Sequence, residues 1–137
     1  MSRHWVQDIS DMHHHFGVKS VVNNMDSETL MRFMEFRVKQ LQEELDEFKT
    51  ALAEKDAENA VDALIDLAVF TIGTLDLAQV DSYKAWDNVL NANMSKNVGI
   101  KEGRPNPWGL PDLMKPEGWT PPSHEGNHGK FGVLFDN

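Results

Sequence analysis

The chain has no cysteine. Disulfides and thiolate metal ligands are therefore excluded, and a cytoplasmic setting is expected. It also lacks any apolar run of about 18 residues, the length that a membrane span needs. The opening residues, MSRHWVQDIS, lack the apolar stretch of a secretory signal. No membrane partner is expected. Basic residues are scarce: 13 Lys and Arg stand against 22 Asp and Glu, for a formal net charge of −9. Phosphate backbones recruit Lys and Arg, so nucleic acid is not the expected partner either. A nucleotide stays compatible with such a protein when cations lie between the two. Proline is missing before Pro105, and only Gly17 and Gly73 of the nine glycines precede Gly99. Helix breakers are thus nearly absent from residues 1–98. What remains is ordinary for one globular domain: 137 residues, 40% hydrophobic and 26% charged.

Apolar spacing over residues 1–98 predicts four helices. Trp5, Ile9, Met12 and Phe16 mark the first, with Ser2 as its cap and Gly17 as its stop. The triplet His13-His14-His15 falls in its last turn. Consecutive residues on a helix point in different directions, and histidine suits a helix C-terminus, so the triplet reads as a helix end rather than a ligand set. Val18–Met25 reads as a connector, with a brief extended piece at Val21-Val22. Asp26 or Ser27 then caps a long helix running to about Glu54, roughly 40 Å at 1.5 Å per residue. Its residues Met34, Val38, Leu41, Leu45, Phe48 and Leu52 draw a narrow apolar seam. Lys55-Asp56 reads as a tight joint.

The next helix, from about Asp56 to Ala78, is apolar on many sides (Val61, Leu64, Ile65, Leu67, Val69, Phe70, Ile72 and Leu75 among them). It should be buried within the domain or in a subunit interface. Gly73 in its interior invites close helix approach. A fourth helix, capped by Asp81 and carrying Tyr83, Trp86, Leu90 and Met94, should end near Gly99. The expected fold class is all-α: a four-helix bundle over 1–98 that forms an oligomer. Residues 99–137 form a Pro/Gly-rich arm, neither helix nor ordinary strand. Trp108, Leu110, Trp119, Phe131, Leu134 and Phe135 punctuate that arm, so it should pack on the bundle or on a neighbouring subunit.

Two acidic clusters stand out, Glu43-Glu44-Leu45-Asp46-Glu47 and Asp62-Ala63-Leu64-Ile65-Asp66. Glu44 and Glu47 are three apart and Asp62 and Asp66 four apart, so each pair shares a helix face. Two readings are open on the residues alone. The acids form a solvated flank, or they converge on a hard divalent cation, since only a cation relieves four facing carboxylates. Glu43, Asp46, Glu54 and Glu58 fit the first reading. Asp62 and Asp66, in so apolar a helix, fit it less well.

The EELDE segment resembles the EExxE motif of the all-α nucleoside triphosphate pyrophosphohydrolases, the MazG-like and phosphoribosyl-ATP pyrophosphohydrolase-like superfamily. The family's second motif is ExxD. Asp66 matches its aspartate, but Ala63 stands at the glutamate, and DALIDL is similar to a variant in which an aspartate upstream replaces it. Asn93-Met94-Ser95-Lys96 resembles the NMSK signature of a phage and bacterial subgroup. Lys115-Pro116-Glu117-Gly118-Trp119-Thr120-Pro121-Pro122 resembles that subgroup's ending. The resemblance covers roughly residues 27–122.

It implies Mg²⁺-dependent cleavage of a nucleoside triphosphate between its α- and β-phosphates, with Mn²⁺ as a substitute ion. Metal ligands would be Glu44, Glu47, Asp62 and Asp66. Glu47 and Glu44 would be the catalytic pair, with Glu47 orienting the attacking water. Asn93 and Lys96 would touch substrate phosphate or sugar, while nothing in their spacing singles out Arg104 or Lys115. The subgroup likeness leans toward a purine such as dGTP or GTP. It also implies a homodimer or tetramer in bacterial or phage-infected host cytoplasm. Trp86, Trp108 and Trp119 are candidates to stack on a base, although the place of Trp86 on the apolar seam favours a core role. Competing readings are a non-catalytic helical oligomerisation module and a phosphoribosyl-ATP pyrophosphohydrolase.

Overall fold

The structure, a computed structural model, describes residues 4–101, 103 and 108–136. Among these the chain forms six helices and one two-stranded sheet, and the fold is all-α in character. The helices are α1 (Trp5–His15), α2 (Val18–Asn23), α3 (Ser27–Glu54), α4 (Ala57–Leu77), α5 (Ser82–Met94) and α6 (Lys130–Phe135). The strands β1 (Asn97–Gly99) and β2 (Asp112–Met114) pair antiparallel, with Val98 opposite Leu113. None of the helices is long and apolar enough to cross a membrane. The chain divides into two compact units: one holds the chain through Ser82 together with the segment from His128, and the other is Tyr83–Asn127.

The first unit is built on a helical hairpin. Asp26 caps α3 by accepting a hydrogen bond from Thr29 N at 2.8 Å. That bond, first among its causes, lowers the Asp26 pKa. At the other end, Lys55 takes a left-handed conformation (φ 55°) and Asp56 N donates to Ala51 O, which closes the helix. Asp56 is at once the cap of α4, accepting from Asn59 N at 3.1 Å. So short a joint sends α4 back along α3. Buried Ala51 and Ala63 let the two helices close together.

The joint is where the sequence expected it; the connector after Gly17 is not. Residues Val18–Asn23 form helix α2 in place of a connector with an extended piece. The reason is tertiary: Val22 is buried in a cluster with Leu30, Leu77 and Leu134, and only a helical turn turns it inward there. Burying such a side chain contributes about 1.5–3 kcal/mol. The expected cap of α1, Ser2, lies outside the described residues, as do Arg104, Pro105 and Pro107.

Leu134 belongs to α6, so the C-terminal segment is not free of helix. The chain reaches α6 through Gly129 (φ 55°), whose neighbour Lys130 N donates to Ala78 O at 2.6 Å. A Cβ on Gly129 would run into Ala78 O and Gln79 C. Only glycine fits there. Gly73 does what its position promised: a Cβ there would meet the His13 ring at 3.3 Å, so its absence admits α1 against α4.

In the second unit α5 stops at Met94, five residues before the expected end near Gly99. Ser95 Oγ turns back to donate to Ala92 O, and the chain then extends into β1. Gly99 lies so close to β2 that a Cβ would stand 2.7 Å from Met114 Cγ. The seam of α5 is also not core within one chain. Trp86 is 68% exposed, contrary to the expected core role, and Tyr83 and Met94 are exposed with it.

Candidate active site

The hairpin explains why the four acids come near enough to feel one another's charge. Glu44 lies eleven residues before Lys55 and Asp66 eleven after it; Glu47 lies eight before and Asp62 seven after. At 1.5 Å per residue, equal counts put groups at equal heights on the two arms. Spacings of three and four then turn each pair to one side of its helix.

The electrostatics follow. Glu44 is half-buried, and its Oε2 is out of solvent with no hydrogen-bond partner. Its carboxyl is pushed up to about 7, first by burial, then by the closeness of Glu47 and the charges of Asp66 and Asp62. The Asp66 pKa is raised as well, by burial first, then by neighbouring Asp62 and the charge of Glu47. Glu47 and Asp62 are exposed. All four acids therefore form one electrostatic cluster, with one Glu44 oxygen withdrawn from water inside it.

As they stand, no three His, Asp or Glu side chains among the described residues converge to cage an ion. Carboxylates that repel one another have no reason to converge without one. The donor set itself fits a hard cation: all donors are oxygens, and the orphaned Glu44 Oε2 lacks the partner that buried polar atoms require. Ala63, where the resembled motif carries a glutamate, is 1% exposed on the packed side of α4. Asp62 and Asp66 flank it instead.

Two polar side chains of this unit are buried near the hairpin and α1, Arg37 and His13. Arg37, only 8% exposed, lies against the rings of Phe33 and Phe70, at 5.2 and 5.0 Å from their centroids. Its Nη1 donates to Gln40 Oε1 at 3.0 Å, its Nε has no partner, and burial lowers its pKa. It sits seven residues before Glu44, on the same face of α3, and that spacing was the available signal. His13 is buried and pairs through Nδ1 with Asp76 Oδ2 at 2.7 Å, while Lys19 approaches Asp76 Oδ1 at 3.3 Å. So one member of the histidine triplet, His13, makes a buried hydrogen bond to Asp76 at the end of α1.

Asn93 and Lys96 belong to the second unit. Asn93 is exposed in the last turn of α5, its carbonyl accepting from Lys96 N. Lys96 is half-buried, its Nζ 5.2 Å from the Trp119 ring centroid. Trp119 is held by its Nε1 donating to Ala92 O at 2.8 Å, and Lys115 Nζ stands 5.1 Å from the same ring. Lys115, which spacing did not single out, thus joins Lys96. Trp108 is exposed.

A family model described as phosphoribosyl-ATP pyrophosphohydrolase matches residues 9–93, well over half of the chain. Comparison with curated proteins and with solved structures gave no match. The matched stretch contains both arms of the hairpin and all four of its carboxylates. Members of the family are hydrolases that act on nucleotide pyrophosphate bonds and depend on a divalent metal. On that match the chain belongs to the phosphoribosyl-ATP pyrophosphohydrolase family, and its place is among the nucleotide pyrophosphohydrolases.

Proposed function

We propose that the protein hydrolyses a (deoxy)nucleoside triphosphate to the monophosphate and pyrophosphate, with Mg²⁺ as its ion and a purine such as dGTP or GTP as its base. The observation that carries this reading is the carboxylate cluster between α3 and α4, with Glu44 pushed up to about 7 and its Oε2 unpartnered. Glu44, Glu47, Asp62 and Asp66 would hold the ion, and Mn²⁺ would substitute for it. When bound, such an ion offsets the charge of the phosphates and polarises water and phosphoryl oxygen. Glu47, exposed beside Glu44, orients the attacking water and takes its proton. The water oxygen joins the α-phosphorus, the bond from that phosphorus to the bridging oxygen breaks, and the oxygen leaves with pyrophosphate. Asn93 and Lys96 contact the substrate's sugar or phosphate.

A homodimer, or a tetramer of dimers, is part of the proposal. Its support is the apolar surface that one chain leaves uncovered. Val38, Leu45 and Leu52 repeat every seven residues along α3 and are exposed, as are Val61, Leu64 and Ile65 on α4. Light scattering with sedimentation would read the mass. A cytoplasmic setting fits the absence of cysteine.

The family match gives a second reading its own weight: phosphoribosyl-ATP as substrate. Pyrophosphate release from a panel of nucleotides and phosphoribosyl-ATP, with Mg²⁺, Mn²⁺ or chelator, separates the two. Release from a triphosphate that chelator abolishes is the expected result. Release from phosphoribosyl-ATP alone would select the second reading. No release from any member would return the chain to a non-catalytic helical assembly.

A further inference from the structure

The first half of α1 leaves a small groove against α4, a short way from the acid cluster. Trp5, Asp8 and Ile9 form one wall and Ile65, Val69 and Ile72 the other, around a volume of about 210 Å³. Whole drug-sized ligands occupy roughly 300–1,000 Å³. This groove is smaller, so it suits a ring system rather than an entire nucleotide.

Asp8 is the only charged residue on its walls. Among the described residues, the Asp8 carboxylate makes no hydrogen bond or ion pair. An acid in the first turn of a helix suits the helix dipole. That explains an acid anywhere on the turn, but not one on the wall of an apolar groove. Trp5 beside it is 59% exposed, a large aromatic surface that the chain leaves uncovered.

The opposite wall borders the carboxylates of the hairpin. Ile65 lies three residues after Asp62, and Val69 three after Asp66. Residues so spaced on a helix are surface neighbours, about 5–6 Å apart at Cβ. A nucleotide whose phosphates meet an ion on Asp62 and Asp66 thus has this groove within one helical turn.

We propose that the groove receives the base of the substrate nucleotide and that Asp8 selects guanine. The inference rests on the nucleotide reading given above. The base stacks on the Trp5 ring, whose face accepts any base plane. Guanine carries two adjacent donors, N1–H and the exocyclic N2 amino group. The two Asp8 oxygens accept one charge-assisted bond from each. Adenine presents its N6 amino group beside N1, an acceptor, so one Asp8 oxygen would face a lone pair. Trp5 takes the stacking role ahead of Trp86, Trp108 and Trp119. Ile65 also belongs to the exposed apolar surface of α4, so a second copy is the rival occupant of the groove.

The test is NMR titration of the full chain in EDTA, following the indole N–H resonances, with Trp5 assigned through Trp5→Phe. The probes are dGMP, dAMP and ribose 5-phosphate. Chelator removes metal-held phosphate binding at the hairpin. The dGMP probe should shift the Trp5 resonance, and ribose 5-phosphate should leave it in place. Reaching the same shift with dAMP should take about 10–100-fold more ligand, the scale on which one bidentate pair separates bases. In Asp8→Asn the side chain both donates and accepts, which suits adenine, so that gap should shrink below about tenfold. Trp5→Leu should weaken dGMP binding about tenfold, read from broadening of the dGMP H8 signal.

Trp5 and Asp8 are exposed, so these variants keep the fold, as circular dichroism would show. The groove is overturned as a base site if dGMP, up to its solubility limit, leaves Trp5 unshifted; a second copy lying over it would give that result. Equal shifts by dGMP and dAMP overturn Asp8 as the selector. Hydrolysis with Mg²⁺, measured alongside, keeps the two ideas separate. Nucleotide hydrolysis with Trp5 untouched by dGMP sinks the groove alone. Selective dGMP binding without hydrolysis of any nucleotide sinks the hydrolase reading alone.

Discussion

The helical hairpin of the first unit and the Trp119 segment of the second handle charge differently. On α3 and α4, regular secondary structure brings like charges near one another, and the pKa values of Glu44 and Asp66 rise, first through burial and then through the neighbouring carboxylates. Around Trp119, Lys96 Nζ and Lys115 Nζ lie 5.2 and 5.1 Å from one indole centroid, while Glu117 and Glu125 line the same cleft as Trp119. One region gathers charge of a single sign; the other mixes signs around an aromatic ring. Like charges brought together cost stability, so the hairpin is the region that a cation would relieve.

The strongest way to break this comparison is to remove a charge from the hairpin and watch activity. Glu47→Gln should slow pyrophosphate release by about 10²–10⁴-fold, the range for a lost acid–base group, with the melting temperature unchanged or higher. A variant that is as active as wild type would put the chemistry elsewhere. Asp66→Asn should hurt more than Asp62→Asn, because Asp66 is half-buried in the cluster and Asp62 is exposed.

Next in size comes a backbone effect on the frame. Gly129→Ala should cost about 2–4 kcal/mol in chemical denaturation, since a Cβ would strike Ala78 O and alanine resists a positive φ. A loss below about 0.5 kcal/mol would mean that α6 is not seated against the end of α4.

A pH effect sharpens the comparison further. Glu44 titrates at about 7 in the fold against 4.5 for its ordinary value. Between those values the native state holds more protons than the unfolded state, so stability falls as pH rises through the window. The contribution is fully present below about 4.5 and lost above about 7. Metal-free protein should therefore melt a few degrees lower at pH 8 than at pH 5.5. Mg²⁺ should raise the melting point more at the higher pH, because a bound cation displaces the proton. Glu44→Gln should flatten both trends, as differential scanning calorimetry would show.

The smallest effect is expected at Gly73→Ala. Alanine gains about 1 kcal/mol in helix propensity but places a Cβ 3.3 Å from the His13 ring, and the two should nearly cancel. A large loss in either direction would mean that α1 and α4 are held differently.

Much of the hairpin was legible from the chain because its signals are local. Asp26, Lys55 and Asp56 mark the ends of α3 and α4, and the counts on either side of Lys55 align the acids. The raised pKa of Glu44 was not legible, since it depends on charges from a second helix and on withdrawal from water. Helix α2 was hidden because Val21 and Val22 favour extended backbone, and burial against Leu77 outweighs that preference. Helix α6 was hidden by its setting, a six-residue KFGVLF among glycines, and by an anchor at Ala78 far away in sequence. The approach of Lys96 and Lys115 to the Trp119 ring has no periodicity to betray it, since only the fold brings those segments together.

The seat of α6 has a consequence for how the protein is made. Val22, Leu30 and Leu77 leave the ribosome well before Leu134, which completes their cluster. Until the segment from His128 arrives, the nascent chain carries an open apolar socket at the end of α4. A chain cut after Asn127 would keep every hairpin acid and still leave that socket open to water.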